Sequence, residues 1–137
     1  MEVRKYEAND FLILRPQPMQ EGLMPWQTME IANDLAQSNE TYSVTVDGEV
    51  VACVGLIQHW PGRRFVWAYL AWNAPMVPLT WKVRRWLRFH GEGRIEAAID
   101  PQFKASIRWA RRLGFKREGR MKQYVPGKDY DLYARVG

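Results

Sequence analysis

Cysteine is almost absent from this chain of 137 residues: Cys53 stands alone, so no intrachain disulfide can form. Histidine is nearly as scarce. His59 and His90 are the only two, and with one thiol they leave a zinc site one ligand short, so no metal is expected. No run of Ser, Gly or Pro reads as a linker, and no low-complexity tract or internal repeat appears. With 47% apolar residues, the expectation is a single domain over 1–137 with one core. Long apolar runs are missing too. The longest uncharged stretch, 65–81, is interrupted by Asn73, Pro75 and Pro78 and makes a poor membrane span. Residues 1–5 (MEVRK) lack the apolar stretch of a secretory signal. The chain therefore reads as soluble and cytoplasmic, with no membrane partner.

Basic groups are sparse up to residue 79 and crowded after it. Residues 1–79 carry 5 basic and 9 acidic side chains, residues 80–137 carry 15 and 6, and the net charges are −4 and +9. The second half should attract polyanions, either phosphorylated small molecules or nucleic acid; a solvated basic face is the plainer reading.

Periodicity predicts the elements. A short strand over 1–6 precedes a loop through Pro16 and Pro18, with a short helical segment around 19–24. Trp26, Met29, Ala32, Leu35 and Ala36 recur at helical spacing, which predicts a helix over 25–37 with Pro25 in its first turn. Tyr42, Val44 and Val46 alternate with polar residues, and Asp47-Gly48 has the chemistry of a tight hairpin leading to a strand over 50–57. That strand and the next, over 65–72, are apolar on both faces and should be central. Thr80 is placed to cap a helix over 81–90, with Val83, Trp86, Leu87 and His90 as its buried stripe and Gly91 as its stop. Ile95, Ala97 and Ile99 define a strand. Asp100 and Pro101 open a basic helix with Phe103, Ile107, Ala110 and Leu113 on one face and Gly114 as its left-handed end. A hairpin pairs 119–125 with 130–136.

The run Ser106-Ile107-Arg108, Leu113-Gly114-Phe115, Glu118-Gly119, Asp131 and Tyr133-Ala134 resembles the tail of the ribosomal-protein branch of the GCN5-related N-acetyltransferases (GNAT). It covers about a third of the chain, and upstream the order of elements agrees with it. The small size and divergent middle also resemble small GNAT-like proteins of tailed phages. The resemblance implies an α+β, three-layer GNAT fold: a mixed, mostly antiparallel sheet of about six to seven strands with one parallel splayed pair and about four helices. In that fold acetyl-CoA lies where the parallel strands part.

At the matching positions the chain departs from the family pattern. The loop at 73–80 has no glycine and two prolines where the family has Q/R-x-x-G-x-G/A, and Phe103 and Ala110 replace an asparagine and the tyrosine that protonates the thiolate. The cofactor contacts that the resemblance implies are main chain at Leu70, Ala71 and Trp72, then Val77, Thr80, Lys82, Arg85, Ser106 and Trp109. Tyr69 and Tyr124 are the remaining proton donors, each also readable as an amphipathic core residue. Glu96 points away from the face of Ile95 and Ala97. It is either a buried base with a raised pKa or an exposed partner of a lysine or arginine. Cys53, in a buried strand, reads as inert packing, and His59 and His90 are not counted as site residues.

The expected function is acetyl transfer from acetyl-CoA to an amine, of a small molecule or a protein N-terminus, by direct attack. The alternative is an inactive GNAT-fold binding or virion-associated protein whose basic half holds nucleic acid or a protein. Trp81, Trp86 and Trp109 interleaved with Arg84, Arg85, Arg88, Arg108, Arg111 and Arg112 would serve that role.

Overall fold

The computed structural model describes residues 1–137, the side chain of Met19 excepted. Its elements are β1 (Glu2–Lys5), α1 (Ala8–Ile13), a 3₁₀ helix (Pro18–Trp26), α2 (Met29–Leu35), β2 (Glu40–Val46), β3 (Glu49–Trp60), β4 (Arg63–Leu70), α3 (Met76–His90), β5 (Arg94–Ile99), α4 (Lys104–Arg112), β6 (Lys116–Val125) and β7 (Lys128–Val136). The seven strands form one sheet in the order β1-β2-β3-β4-β5-β7-β6. β4 and β5 are parallel, and their register covers Arg63↔Arg94, Arg64↔Ile95 and Phe65↔Glu96. The chain forms two compact units, Met1–Ile57 with Val66–Pro78 and Gln58–Phe65 with Leu79–Gly137.

In the first unit the β2–β3 hairpin turns where expected, with φ of 51° at Asp47 and 82° at Gly48. Val51, Ala52 and Cys53 are buried, as a central strand requires. Tyr6 and Phe11 meet the Trp67 ring edge-on, at centroid distances of 6.1 and 6.4 Å. A short helix stands where a loop was expected: α1 is under two turns long, too short to show a period. What holds it is polar. Asp10 reaches back to the Glu7 N–H at 2.9 Å, takes a bidentate pair from Arg4 at 2.7 and 2.8 Å, and accepts the Ser43 hydroxyl at 2.7 Å. The helix expected over 25–37 shrinks to α2, because Thr28 caps it by accepting the Ile31 N–H and Pro25 belongs to the 3₁₀ helix before it.

In the second unit α4 ends as its glycine requires. Gly114 has φ +93°, the Phe115 N–H donates to Ala110 and the Gly114 N–H to Arg111, both at 3.0 Å, the paired bonds of a Schellman end. At the other end the expectation is corrected. The Asp100 carboxylate accepts the Gln102 N–H at 2.9 Å within a turn, and α4 starts only at Lys104 after the apolar Phe103. α3 begins at Met76, a turn earlier than expected, so Thr80 lies inside it and is no cap. Pro78 falls in its first turn, where a missing N–H removes no helical bond. Leu79 and Leu87 are its buried residues, while His90 is exposed and stacks on Trp86 at 5.1 Å.

Gly55 is required by close approach. A Cβ there would stand 2.6 Å from Trp67 Nε1 and 2.8 Å from Cε2, inside a ring that Tyr6 and Phe11 already hedge in. Gly55→Ala should destabilise the protein by about 1–3 kcal/mol, the usual cost of overpacking. Urea unfolding followed by tryptophan fluorescence reads it, with the midpoint falling and the slope unchanged.

Candidate active site

The end of β4 is the centre of the expected site, and its backbone groups can be followed one by one. The Ala71 N–H donates to Val51 of β3 at 2.8 Å. Residues 68, 70 and 72, of opposite parity, therefore present their N–H and C=O groups on the edge away from β3. Every bond seen on that edge is made to the segment just before the 3₁₀ helix or to its first turn. The Gln20 carboxamide spans two strand residues, donating to the Ala68 carbonyl at 2.8 Å and accepting the Leu70 N–H at 2.8 Å. The Gln17 N–H donates to the Leu70 carbonyl at 2.9 Å, and the Trp72 N–H donates to the Arg15 carbonyl at 3.0 Å. Residues 15–20 thus pair with β4 as a substitute strand, with Pro16 and Ala71 forming an antiparallel bridge.

This corrects one expectation directly. The main-chain donors at Leu70, Ala71 and Trp72 are all engaged inside the protein. In this conformation the strand edge does not fit the acyl donor that the resemblance implied.

Tyr69 is also committed. It is 2% exposed, packs on Phe11 at 4.9 Å, and its hydroxyl donates to Gln27 Oε1 at 2.9 Å. Gln27 in turn donates from Nε2 to the carbonyls of Phe11 and Leu14 at 2.7 Å and of Leu12 at 3.3 Å, closing the end of α1. Burial raises the Tyr69 pKa above its ordinary value, which makes the phenol a weaker acid. Gln20 and Gln27, whose side chains make these bonds, were missed in the sequence reading. A carboxamide can imitate a peptide group on either of its faces, but nothing local to residues 17–27 says which strand it will meet.

Among the residues expected around the helices, Thr80 and Trp109 are brought together: Trp109 Nε1 donates to Thr80 Oγ1 at 2.8 Å, joining α3 to α4. Ser106 is half-buried on α4, and Lys82 and Arg85 are exposed on α3. Val77 is 71% exposed in the first turn of α3, where amides have no acceptor within their own helix.

Glu96 is where the expectation reverses. It is buried, but Arg63 grips Oε1 through Nε at 3.0 Å and Nη2 at 2.7 Å, and Arg94 Nε holds Oε2 at 2.6 Å. Arg94 continues to Glu118, so four charges form one chain. The Arg63 hydrogen bonds hold the Glu96 carboxyl below the usual glutamate range, with Arg94 assisting and burial opposing. A carboxylate stabilised in this way is a poor proton acceptor, not the raised-pKa base envisaged. Tyr124 is also distant from it. Glu96 pairs with Ala134 on β7, whereas Tyr124 lies at the far end of the β6–β7 hairpin, about 17 Å away by strand rise, half exposed and tilted on Tyr130. The two therefore do not form an acid–base pair. Burial pushes the Tyr124 pKa up. The Cys53 thiol, 0% exposed, is pushed up to about 12 chiefly by desolvation, and stays inert as expected. Among the described residues no cluster of metal-ligating side chains occurs, and no helix is long and apolar enough to cross a membrane.

No protein-family model and no curated protein matches the sequence. Solved structures do match in shape. A GNAT-family acetyltransferase from Bacillus anthracis is 19% identical, with 98% of this chain and 93% of that one covered and a TM-score of 0.68. The ribosomal-protein-alanine N-acetyltransferase of Brucella melitensis is 18% identical over 100% of both chains, at 0.75. RimJ of Mycobacterium smegmatis, solved with CoA-disulfide, is 17% identical over 96% of this chain and 79% of that one, at 0.65. The chain has the GNAT fold. These likenesses carry no support for the phage resemblance.

The Glu96 clamp has a pH signature. Its native pKa is depressed, so its contribution to stability is complete above the ordinary value of 4.5 and is lost as pH falls through the lowered native value. Glu96→Gln should lower stability at pH 7 and flatten the acid limb of a stability–pH profile. Denaturant midpoints between pH 7 and 3 check this; parallel profiles for the two proteins would contradict the clamp.

Proposed function

We propose that the chain, acting as one domain, is an acetyl-CoA-dependent acyltransferase of the GNAT superfamily whose acceptor is an amine, and that it rests in a closed form. The likeness to acetyltransferases over nearly the whole chain supports the superfamily. The observation that carries the closed form is the Gln20 carboxamide seated on Ala68 and Leu70. The pantetheine arm of coenzyme A is itself a chain of amides, so it competes for the same two groups. The Gln20 side chain can rotate off the strand edge while the main-chain bonds of Arg15 and Gln17 stay in place.

When Gln20 leaves, the Leu70 N–H becomes a fixed donor for a carbonyl oxygen gaining negative charge. The first turn of α3 at Val77 offers N–H groups to phosphates. The thioester supplies an activated acetyl group. The acceptor amine must lose its proton to water, because Glu96 is held as a carboxylate by two arginines. Amines of the kinds named for solved neighbours, a ribosomal protein alanine and spermidine, are the acceptors to try first.

Calorimetric titration with acetyl-CoA tests this reading. Wild-type protein should bind in the micromolar range, and Gln20→Ala should bind about 5- to 30-fold more tightly, since it removes a competitor making two hydrogen bonds. Binding by neither protein at millimolar acetyl-CoA would overturn the transferase reading in favour of an inactive binding module. Equal affinities would leave the enzyme and remove the closed form.

A further inference from the structure

The second unit contains a cleft of about 530 Å³ that the site above does not use. Five arginines line it: Arg84, Arg85 and Arg88 from α3, Arg112 from the end of α4 and Arg135 from β7. No carboxylate lies within ion-pair distance of any of the five among the described residues. Four of the unit's six carboxylates are engaged elsewhere, Glu96 and Glu118 with Arg94, Asp131 with Arg117 and Arg120, and Asp100 with Lys128; Asp129 accepts the Gln123 N–H at 2.9 Å, and Glu92 is exposed. Helix-end complementarity accounts for Arg88 and Arg112, which sit in the last turns of their helices. Arg135 donates from Nη1 to the Gly91 carbonyl just past α3 at 3.0 Å, but neither role covers Arg84 or Arg85, and five like charges around one hollow repel each other unless an anion enters.

The rim narrows the class of anion. Trp81 and Phe89 are 66% and 64% exposed, unusual for such large apolar rings. Each has guanidinium groups over its face: Arg84 lies 5.6 Å from the Trp81 centroid, and Arg85 and Arg88 lie 6.0 and 5.9 Å from that of Phe89. The floor, Leu87, Leu113 and Gly114, is apolar. Flat rings alternating with forked donors over an apolar floor match a ligand that alternates flat bases with phosphates. An acidic peptide would use the charges and leave the rings idle. Arginine in place of lysine at all five positions fits as well, since the guanidinium both chelates phosphate and stacks.

We propose that this cleft binds single-stranded nucleic acid, a few nucleotides of RNA or DNA, with phosphates on the arginines and bases on Trp81 and Phe89. The cleft shares no residue with the β4 edge, and its assignment does not depend on acetyl-CoA binding.

Fluorescence anisotropy with a labelled 12-nucleotide RNA and its DNA counterpart, at 50 and 200 mM salt, tests it. Binding should weaken steeply with salt. Arg84→Glu with Arg88→Glu should reduce affinity at least tenfold, while Arg111→Glu, an equally exposed charge change outside the cleft, should reduce it less than threefold. Trp81→Ala should weaken binding at least threefold without altering the salt slope, because stacking releases no counterions. The cleft assignment is overturned by no binding at 50 mM salt, by equal losses for the Arg84/Arg88 and Arg111 variants, or by an unchanged Trp81→Ala. Binding of an acidic peptide as tight as that of the RNA, or full displacement of the RNA by equimolar mononucleotide, would overturn the nucleic-acid assignment.

Discussion

Every buried backbone N–H and C=O must find a partner, and the end of β4 is where that constraint shapes the rest of the protein. The parallel register with β5 covers three residue pairs and ends at Phe65, whereas β4 runs on to Leu70. Arg15, Gln17 and Gln20 match the groups beyond. Gln27 then fastens the same segment to α1 and to Tyr69. Leu14 and Pro16 of this stretch are buried, but Ile13, Leu23, Met24 and Trp26 are exposed. A segment held largely by amides, with most of its large apolar groups outside, opens at lower free energy than one locked by a core, and this is the physical basis for reading it as a clasp.

What was legible in the sequence follows from how local the cause is. Asp47-Gly48 and Gly114 set their turns through their own φ angles, and both were read correctly. The inert Cys53 followed from the two-sided apolar pattern of its strand. The late start assigned to α3 came from reading Thr80 as its cap, when Pro78 already sits in the first turn, where proline is tolerated. α1 could not be seen because its support, Arg4 and Ser43 around Asp10, comes from two other elements. Glu96 was placed correctly off the Ile95 face, but its pKa moves opposite to the expectation because one of its arginines lies 33 residues away in sequence. The order of elements therefore predicted the fold, while the state of each site group depended on partners that no local pattern names.

The charge asymmetry has a comparable history. The sequence shows an excess of +9 after residue 79 but not how it is divided. In the folded second unit four of the six carboxylates are drawn into ion pairs, with Asp131 held by Arg117 and Arg120 and Glu96 by Arg63 and Arg94. That sorting concentrates the unmatched cations on α3, α4 and Arg135. A uniformly basic surface would have repelled itself evenly; here the repulsion is gathered around one hollow.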